Sequence, residues 1–539
     1  MVRPDGFRGA FRIDDSARAV YAEGAGIARA IPAAVAVPTN ADDVGALVRW
    51  AAASGRALIA RGSGSGMAGG AVGTGVIVDL SRLDSIGSID TERRRVMVGP
   101  GAVRGAVNEC ARMQKLRFPV DPSSGAFCTI GGMAATNAAG AHTLRFGSTR
   151  AWVTALDCIF DDGSRALIRR DAPLPNVPAV GRFLDGAHGA ILAAPAHVRS
   201  HAGVRKDSSG YALADYARSG ALLELLVGSE GTLALFVGVE LSLTPLPGAT
   251  SSLVAEFPTL EQAVDGAARA RVGGASACEL LDRTFIDVAR SGPALVSIES
   301  ASEAVLLVEH EASDESAAAA AATAMEQALR SCGATRVTLA LNPDDEARLW
   351  ALRHAASPIL SRLSPSLKSM QFIEDAAMPP EMLPQYVRGV RAILARHEVK
   401  GVIFGHAGDS HVHVNPLIDV RVAGWRETVR AILDEVTALV ATLGGTIAGE
   451  HGDGRLRTPL LDRVWDPQSV ALFAQVKHAF DPLNIFNPGV KVPRGARSIE
   501  DVKYDPELPQ LPLDARAALD RIERERAWSH FRLSMIGGR

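Results

Sequence analysis

Two short segments of this 539-residue chain concentrate side chains able to bind a metal or move a proton: FGHAGDSHVHVNP (404–416) and GTIAGEHGDGRLRTPLL (445–461). Two imidazole nitrogens on one ion at about 2.1 Å must lie within roughly 3–4 Å of each other. An extended chain would hold His406 and His413 apart, so it must double back, and Ala407–Gly408–Asp409–Ser410 is turn chemistry. His411 and His413 then share one face of a strand, with Val412 and Val414 on the other. Glu450 is the candidate carboxylate to complete an N,N,O site, with His451 beside it. Such a donor set suits a divalent metal, zinc or manganese, and affinity order alone does not choose between them. Any one of these histidines alone is better read as a hydrogen-bonded core residue. Three within eight residues, plus a Glu-His pair flanked by Gly449 and Gly452, point to a functional site.

A second chemical feature is RGSGSGMAGG, Arg61–Gly70. Its glycines permit positive φ and let successive backbone N–H groups converge on one anion, for which a pyrophosphate is the natural guest. The spacing also resembles a nucleotide-binding glycine fingerprint, but that reading requires a helix after the loop, and VIVDL, a strand, follows.

The elements that must position these segments are legible in outline. AAVAVP reads as a strand, Thr39 or Asn40 caps a helix over about 42–54, and RALIAR and VIVDL are further strands. β-Rich text follows through RRVMVGPG, ALDCIFDDG and LVGSEGTLALFVGVELSLTPLP. Residues 164–206, with four prolines among small residues, read as a loop excursion. From about Ser251 strands and helices alternate as in an α+β unit with an antiparallel sheet, including a helix capped by Ser313 or Asp314 and stopped by Gly333. The expected organisation is residues 1–247, 248–485, a short return at 486–493, and a charged tail over 494–539 with a helix near 514–526, placed to dock on a partner.

Composition bounds the rest. Length divided by about 150 residues per domain allows three to four units, or two large ones. Hydrophobic residues at 47% and charged residues at 22% exclude a mainly disordered chain, and a net charge of −3 gives no reason to expect a nucleic-acid partner. Five scattered cysteines without a CxxC pair fit neither a disulfide framework nor an iron–sulfur site. No uncharged run approaches the length of a transmembrane span and the first residues lack a secretory apolar region, so the expectation is a cytoplasmic protein, compatible with a peripheral place at a membrane. The sequence leaves a homodimer open.

The glycine loop does not stand alone. With DPSSGAFCTIGGMAATNAAGAHTLRFGSTR (121–150), KDSSGY (206–211) and VGSEGTLAL (227–235), it resembles, in order and spacing, the FAD-binding domain of the vanillyl-alcohol oxidase/p-cresol methylhydroxylase superfamily. The two histidine segments, LWALRHAASP (349–358) and KHAFDPLNIFNPGV (477–490) resemble the C-terminal half of its D-lactate dehydrogenase, glycolate oxidase flavin-subunit and D-2-hydroxyglutarate dehydrogenase branch. The implied fold class is α+β, a two-part FAD-binding domain with an α+β cap. For FAD, the resemblance implies Arg61, Gly62, Ser63, Gly64, Ser65, Gly66 and Gly69 near the pyrophosphate. Gly131, Gly132, Asn137, Gly140 and Gly147 would follow the isoalloxazine and ribityl path, and Gly228, Glu230, Gly231 and Thr232 the adenine side. Asp121 and Asn487 complete the expected set. The loop has no histidine for a covalent link, so FAD should be non-covalent. His406, His413 and Glu450 are implied as metal ligands and His451 as the catalytic base. Arg353 is implied as the substrate-carboxylate clamp, with Ser357 and His411 as further substrate contacts.

The chain departs from the branch pattern at His411, where an asparagine is usual, and at Asp453, where an aliphatic residue is usual. A lysine for a second substrate carboxylate is not cleanly matched: Ile373 aligns by the following acid, and Lys368 lies five residues earlier. The implied activity is oxidation of a small D-2-hydroxyacid, with electrons passed to a quinone, an electron-transfer flavoprotein, an Fe–S partner subunit or oxygen. The rivals are an alcohol or sugar oxidase of the same superfamily, a non-catalytic flavoprotein subunit, and a metal-dependent hydrolase without flavin.

Overall fold

The computed structural model describes residues 1–290, 298–354, 366–495 and 501–536. The N-terminal region is built on two sheets. In the first, Ala34–Val37 and Leu58–Arg61 flank Val76–Asp79 in parallel, and Ala10–Arg12 adds an antiparallel edge. The crossover between the first two parallel strands is the helix Ala41–Ser54, whose first turn is capped where Asn40 Oδ1 accepts from the Asp43 N–H at 3.0 Å. All four residues of Ala34–Val37 and of Val76–Asp79 are buried, apolar apart from Asp79, as a two-sided parallel strand needs. The second sheet is antiparallel, in the order Arg95–Val98, Leu235–Ser242, Val153–Ile159, Arg165–Arg169.

From Ala249 a larger antiparallel sheet begins. Its order is Arg336–Ala340, Ala249–Phe257, Ala304–Ala312, Ala277–Asp282, Lys400–His406, His411–Asp419, Leu367–Ser369, and Ala376–Ala377 also pairs with His411–Asp419. The helices Leu260–Val272, Glu315–Ser331, Leu383–Arg396 and Trp425–Thr442 supply apolar side chains to the core on this sheet. Asp314 caps the second of these, accepting from the Ala317 N–H at 2.9 Å. The chain then returns to the first sheet, where the Leu58 N–H donates to Ile485 and the Asn487 N–H to the Leu58 carbonyl.

Two expectations are corrected. Residues 164–206 are not a loop: after the strand Arg165–Arg169 come short helical turns over Pro178–Phe183, Leu184–His188, Gly189–Ala193 and Ala196–Arg199. Val180, Phe183, Ala187 and Ile191 recur every three or four residues and are buried, and Phe183 packs on Tyr216 and Phe480 at ring separations of 5.2 and 5.3 Å. Prolines start two of these turns, at the positions where a missing N–H costs nothing. The C-terminal tail, read as an appendage, instead folds onto its own chain: helix Leu513–Glu525 lies along Asp15–Val20 with Ala515, Ala518, Leu519 and Ile522 buried. Among the described residues no helix is long and apolar enough to cross a membrane. Truncating Phe183→Ala should cost about 3–5 kcal/mol through the cavity left behind, read as a lower denaturant midpoint; a shift below 1 kcal/mol would mean the excursion packs loosely.

Candidate active site

A turn of four residues does the first work. Strands Lys400–His406 and His411–Asp419 are antiparallel neighbours, with His406 directly opposite His411 and Phe404 opposite His413. The chain reverses through Ala407–Asp409 and Ser410, the latter in the left-handed region at φ 57°. His406, His411 and His413 thus converge, with ring centroids 4.7–5.4 Å apart.

Each of these rings is held from outside. His406 Nδ1 lies 2.5 Å from Glu279 Oε1, His411 Nε2 lies 2.9 Å from Asp375 Oδ1, and His413 Nδ1 donates to the Glu374 carbonyl at 2.8 Å. The other nitrogen of each ring faces Glu450: His406 Nε2 and His413 Nε2 at 3.4 Å, His411 Nδ1 at 4.0 Å. An outer acceptor on one ring nitrogen fixes the tautomer that leaves the inner lone pair for a metal. His411 Nδ1 is buried with no hydrogen-bond partner, an orphan that a cation would satisfy. Burial depresses the His411 imidazole to about 3, while hydrogen bonds to Glu374 and Glu450 outweigh burial at His413 and lift it to about 10. His406, His411, His413 and Glu450 form a four-donor group whose ligand atoms lie within 4.8 Å of one another, so these residues fit a divalent ion.

Glu450 is also reached from the other half of the molecule. Lys206 Nζ donates to its Oε2 at 2.8 Å and to the Gly140 carbonyl at 3.2 Å. Although burial opposes ionisation, Lys206 and His406 hold the Glu450 carboxyl well below the usual range. His451 turns Nδ1 to Glu374 Oε2 at 2.8 Å, and Glu374 is gripped in turn by Arg457. Burial would lower the His451 pKa, but Glu374 and Asp375 raise it to about 8.

His406, His413, Glu450, His451, Glu279 and Glu374 line one cavity of about 1460 Å³ that reaches the glycine-rich loop. Arg353 lines it, its Nε donating to Glu279 at 2.6 Å and its guanidinium 4.7 Å from the Phe404 ring centroid. A guanidinium held at Nε still has two terminal amino groups for a carboxylate. At the far end Gly62 to Gly66 form the wall, Gly64 at φ 77°; a Cβ at Gly62 would strike Thr129 Oγ1 at 2.1 Å, so the loop needs its glycines to sit this close. A cavity of this size with a backbone-N–H cradle fits a dinucleotide cofactor.

Not every expected residue meets that space. Arg61, Ser63, Ser65, Asp121, Gly131, Gly132, Gly140, Glu230 and Gly231 line the cavity. Gly69, Asn137, Gly147, Gly228, Thr232 and Asn487 do not line it. Asn137 ends a helix at φ 52° and accepts from the Arg150 N–H. Thr232 donates back to the Ser229 carbonyl, and Asn487 Nδ2 staples the Gly70 and Glu230 carbonyls. Arg61 and Glu230 touch the cavity yet spend their charge elsewhere, Arg61 on the carbonyls of Tyr21, Glu23 and Ala71, and Glu230 on the Asp453 and Gly454 N–H groups and Lys491. His411 is fully buried away from the cavity, so it belongs with the donor cluster and not with the substrate contacts. Ser357 lies outside the described residues.

Several lining residues escaped the sequence reading. His142 is clamped between Asp121 (2.5 Å) and Glu309 (2.7 Å) and stacked 6.0 Å from Trp350, and these carboxylates outweigh burial and hold it well above the usual histidine range. Asn415 and Glu374 line the cavity as well; so does Lys368, which the sequence named without matching it to a role, its ammonium 5.2 Å from the Tyr504 ring centroid.

Residues 32–167 match the FAD binding domain family, and residues 246–490 match the C-terminal domain of FAD linked oxidases. A D-lactate dehydrogenase of Archaeoglobus fulgidus is 30% identical over 460 residues, 84% of this chain and 90% of that protein. The chain belongs to the FAD-linked oxidases. A D-2-hydroxyglutarate dehydrogenase of Xanthomonas citri pv. viticola is 29% identical, covering 85% of this FAD-linked oxidase and 89% of its own length. Among solved structures, 4-ethylphenol oxidase from Gulosibacter chungangensis superposes at a TM-score of 0.67, covering 91% of this chain and 99% of that one at 15% identity, a likeness of fold. The fold is that of the vanillyl-alcohol oxidase type, an FAD-binding domain with a cap, and this FAD-linked oxidase is an oxidoreductase.

The halves of the oxidase are locked by buried charge as well as by apolar packing. Lys491 Nζ, fully buried, lies 3.0 Å from Asp453 and 3.1 Å from Glu230. Asp453 also accepts from Ser209 and the Gly210 N–H. Lys491→Met should strand two buried carboxylates and cost about 3–5 kcal/mol, measured by urea unfolding of the holoprotein.

Proposed function

We propose that the protein oxidises a small D-2-hydroxyacid to the 2-oxoacid at the junction of the two halves. The observation that carries this reading is the placement of Arg353, the His406/His413/Glu450 cluster and His451 on one cavity with the glycine-rich loop. FAD, when bound non-covalently along that loop, supplies the two-electron acceptor for the substrate's Cα hydride. A divalent ion, zinc or manganese, held by His406, His413 and Glu450 with His411 as a fourth donor, would supply Lewis acidity toward a 2-hydroxyl.

The chain's own groups do the rest. Arg353 clamps the carboxylate through two parallel hydrogen bonds and so fixes which face of Cα is presented. His451 has Nδ1 committed to Glu374, leaving Nε2 to take the hydroxyl proton. The buried carboxylates Glu279, Glu374, Asp375 and Glu450 are matched by Lys206, Arg353, Arg457 and the neighbouring imidazoles. A dication held among them would add positive charge that favours an anionic substrate. Lys368 offers a second carboxylate partner, which favours a dicarboxylic hydroxyacid such as D-2-hydroxyglutarate over D-lactate or glycolate. Electrons then leave to a non-nicotinamide acceptor: a quinone, an electron-transfer flavoprotein or an Fe–S partner.

Anaerobic mixing of the holoprotein with D- and L-lactate, glycolate, D-2-hydroxyglutarate and D-malate should bleach the flavin's visible band with one or more of the D-hydroxyacids or achiral glycolate and not with L-lactate. Chelation or His451→Ala should slow bleaching at least about 100-fold, and Arg353→Met should weaken substrate binding about 10–100-fold. Bleaching by alcohols or sugars, untouched by chelator, would instead identify an alcohol or sugar oxidase. Lys368→Met should raise KM for D-2-hydroxyglutarate about tenfold while leaving that for D-lactate unchanged; equal effects on both would remove the dicarboxylate preference.

A further inference from the structure

The segment 501–536 ends up against the cofactor loop. Its first residues add to the stretch that backs that loop: the Arg29 N–H donates to the Asp501 carbonyl at 2.9 Å, and the Lys503 N–H to the Ile27 carbonyl at 2.8 Å. Residues 24–28 in turn press on the loop, with the Ala25 N–H donating to the Gly64 carbonyl at 3.0 Å and Gly26 against the Met67 carbonyl. Helix Leu513–Glu525 then runs over Asp15–Val20 and reverses at Arg526, φ 53°, bringing Trp528 and Arg532 inward.

Arg532 is only 2% exposed. Its Nη2 donates to the carbonyl of Ser63, inside the glycine-rich loop, and to that of Trp528. Its guanidinium lies 5.5 Å from the Tyr21 ring centroid and Arg61 lies 5.3 Å from it, while the Tyr21 hydroxyl donates to Asp79 at 2.6 Å. Two buried guanidiniums therefore sit behind one anion-binding loop, and Arg532 Nη1 and Arg61 Nε are both without a hydrogen-bond partner. Further along, Asp520, Glu523, Arg524, Arg526 and Trp528 line the cavity itself. Asp520 is paired with Arg516 at 2.9 Å, which Glu23 shares at 3.0 Å, and Glu523 with Lys503 at 3.5 Å, while Arg524 and Arg526 stand exposed on the same wall.

We propose that the C-terminal segment is a working part of the FAD site. Arg532 braces the loop Ser63–Gly66 from behind in its anion-binding form, and Arg524, Arg526 and Trp528 wall the cavity on the side of the dinucleotide's diphosphate. Arg532 is a positioning residue; Arg524 and Arg526 attract the diphosphate directly. The role rests on FAD occupying this cavity.

The test uses full-length apoprotein titrated with FAD at low and high salt. Reversing the exposed pair, Arg524→Glu with Arg526→Glu, should weaken FAD binding tenfold or more and flatten its salt dependence, with the apoprotein melting temperature unchanged. Arg532→Met should weaken FAD at least tenfold, Arg532→Lys should recover part of that, and ADP binding should fall in parallel. Unchanged FAD affinity in the double charge reversal would overturn the direct role. A loss in Arg532→Met that Lys does not rescue, matched by an equally lowered apoprotein melting temperature, would reduce Arg532 to packing alone. Wild-type protein that takes up no FAD would overturn the cofactor assignment and this role with it.

Discussion

Glu450 is the point on which the two halves of the molecule agree. It is a buried carboxylate, and burial of an isolated ion costs far more than any single contact returns. It is tolerable because Lys206 reaches it from the FAD-binding half while His406, His411 and His413 face it from one hairpin of the cap. The hairpin must therefore keep its register to the residue. A slip by one position would turn the imidazoles to the opposite face and present Val412 and Val414 to the carboxylate. The outer acceptors Glu279, Asp375 and the Glu374 carbonyl come from neighbouring strands and connections, so the register is enforced from both sides.

That arrangement explains which parts were legible in the chain's text. Glu450 entered as a candidate only through its glycine-flanked Glu-His pair and the family resemblance, whereas the convergence of His406 and His413 could be read because a short turn and strand alternation are local properties. The capped helices after Asn40 and Asp314 were legible for the same reason. His142 and Glu309 were not, since no short-range pattern says that a side chain after the Gly140 turn meets one from a strand 167 residues later. His411 was half legible: strand alternation gave its face, but only Asp375, 36 residues upstream, decides which ring nitrogen turns inward. Residues 164–206 were misread because prolines were counted as breakers, whereas two of them begin helical turns whose spacing of Val180, Phe183, Ala187 and Ile191 is helical.

The glycine-rich loop shows a related division of labour. A Cβ at Gly62 would strike Thr129 and one at Gly64 would strike Arg61, while the loop's carbonyls are taken from outside: that of Ser63 by Arg532, that of Gly64 by the Ala25 N–H, and those of Gly69 and Gly70 by Arg455 and Asn487. A loop of intrinsically flexible residues becomes a defined surface because its carbonyls are claimed from behind, which leaves its N–H groups as the available donors.

Those claims come from distant parts of the chain. The Gly70 carbonyl waits for Asn487, 417 positions downstream, and the Ser63 carbonyl for Arg532, 469 positions downstream. The first sheet can form from residues 10–79 alone, yet the loop it carries takes its shape only once residues some four hundred and more positions downstream have folded back onto it, so the loop is among the last surfaces of this half to be completed.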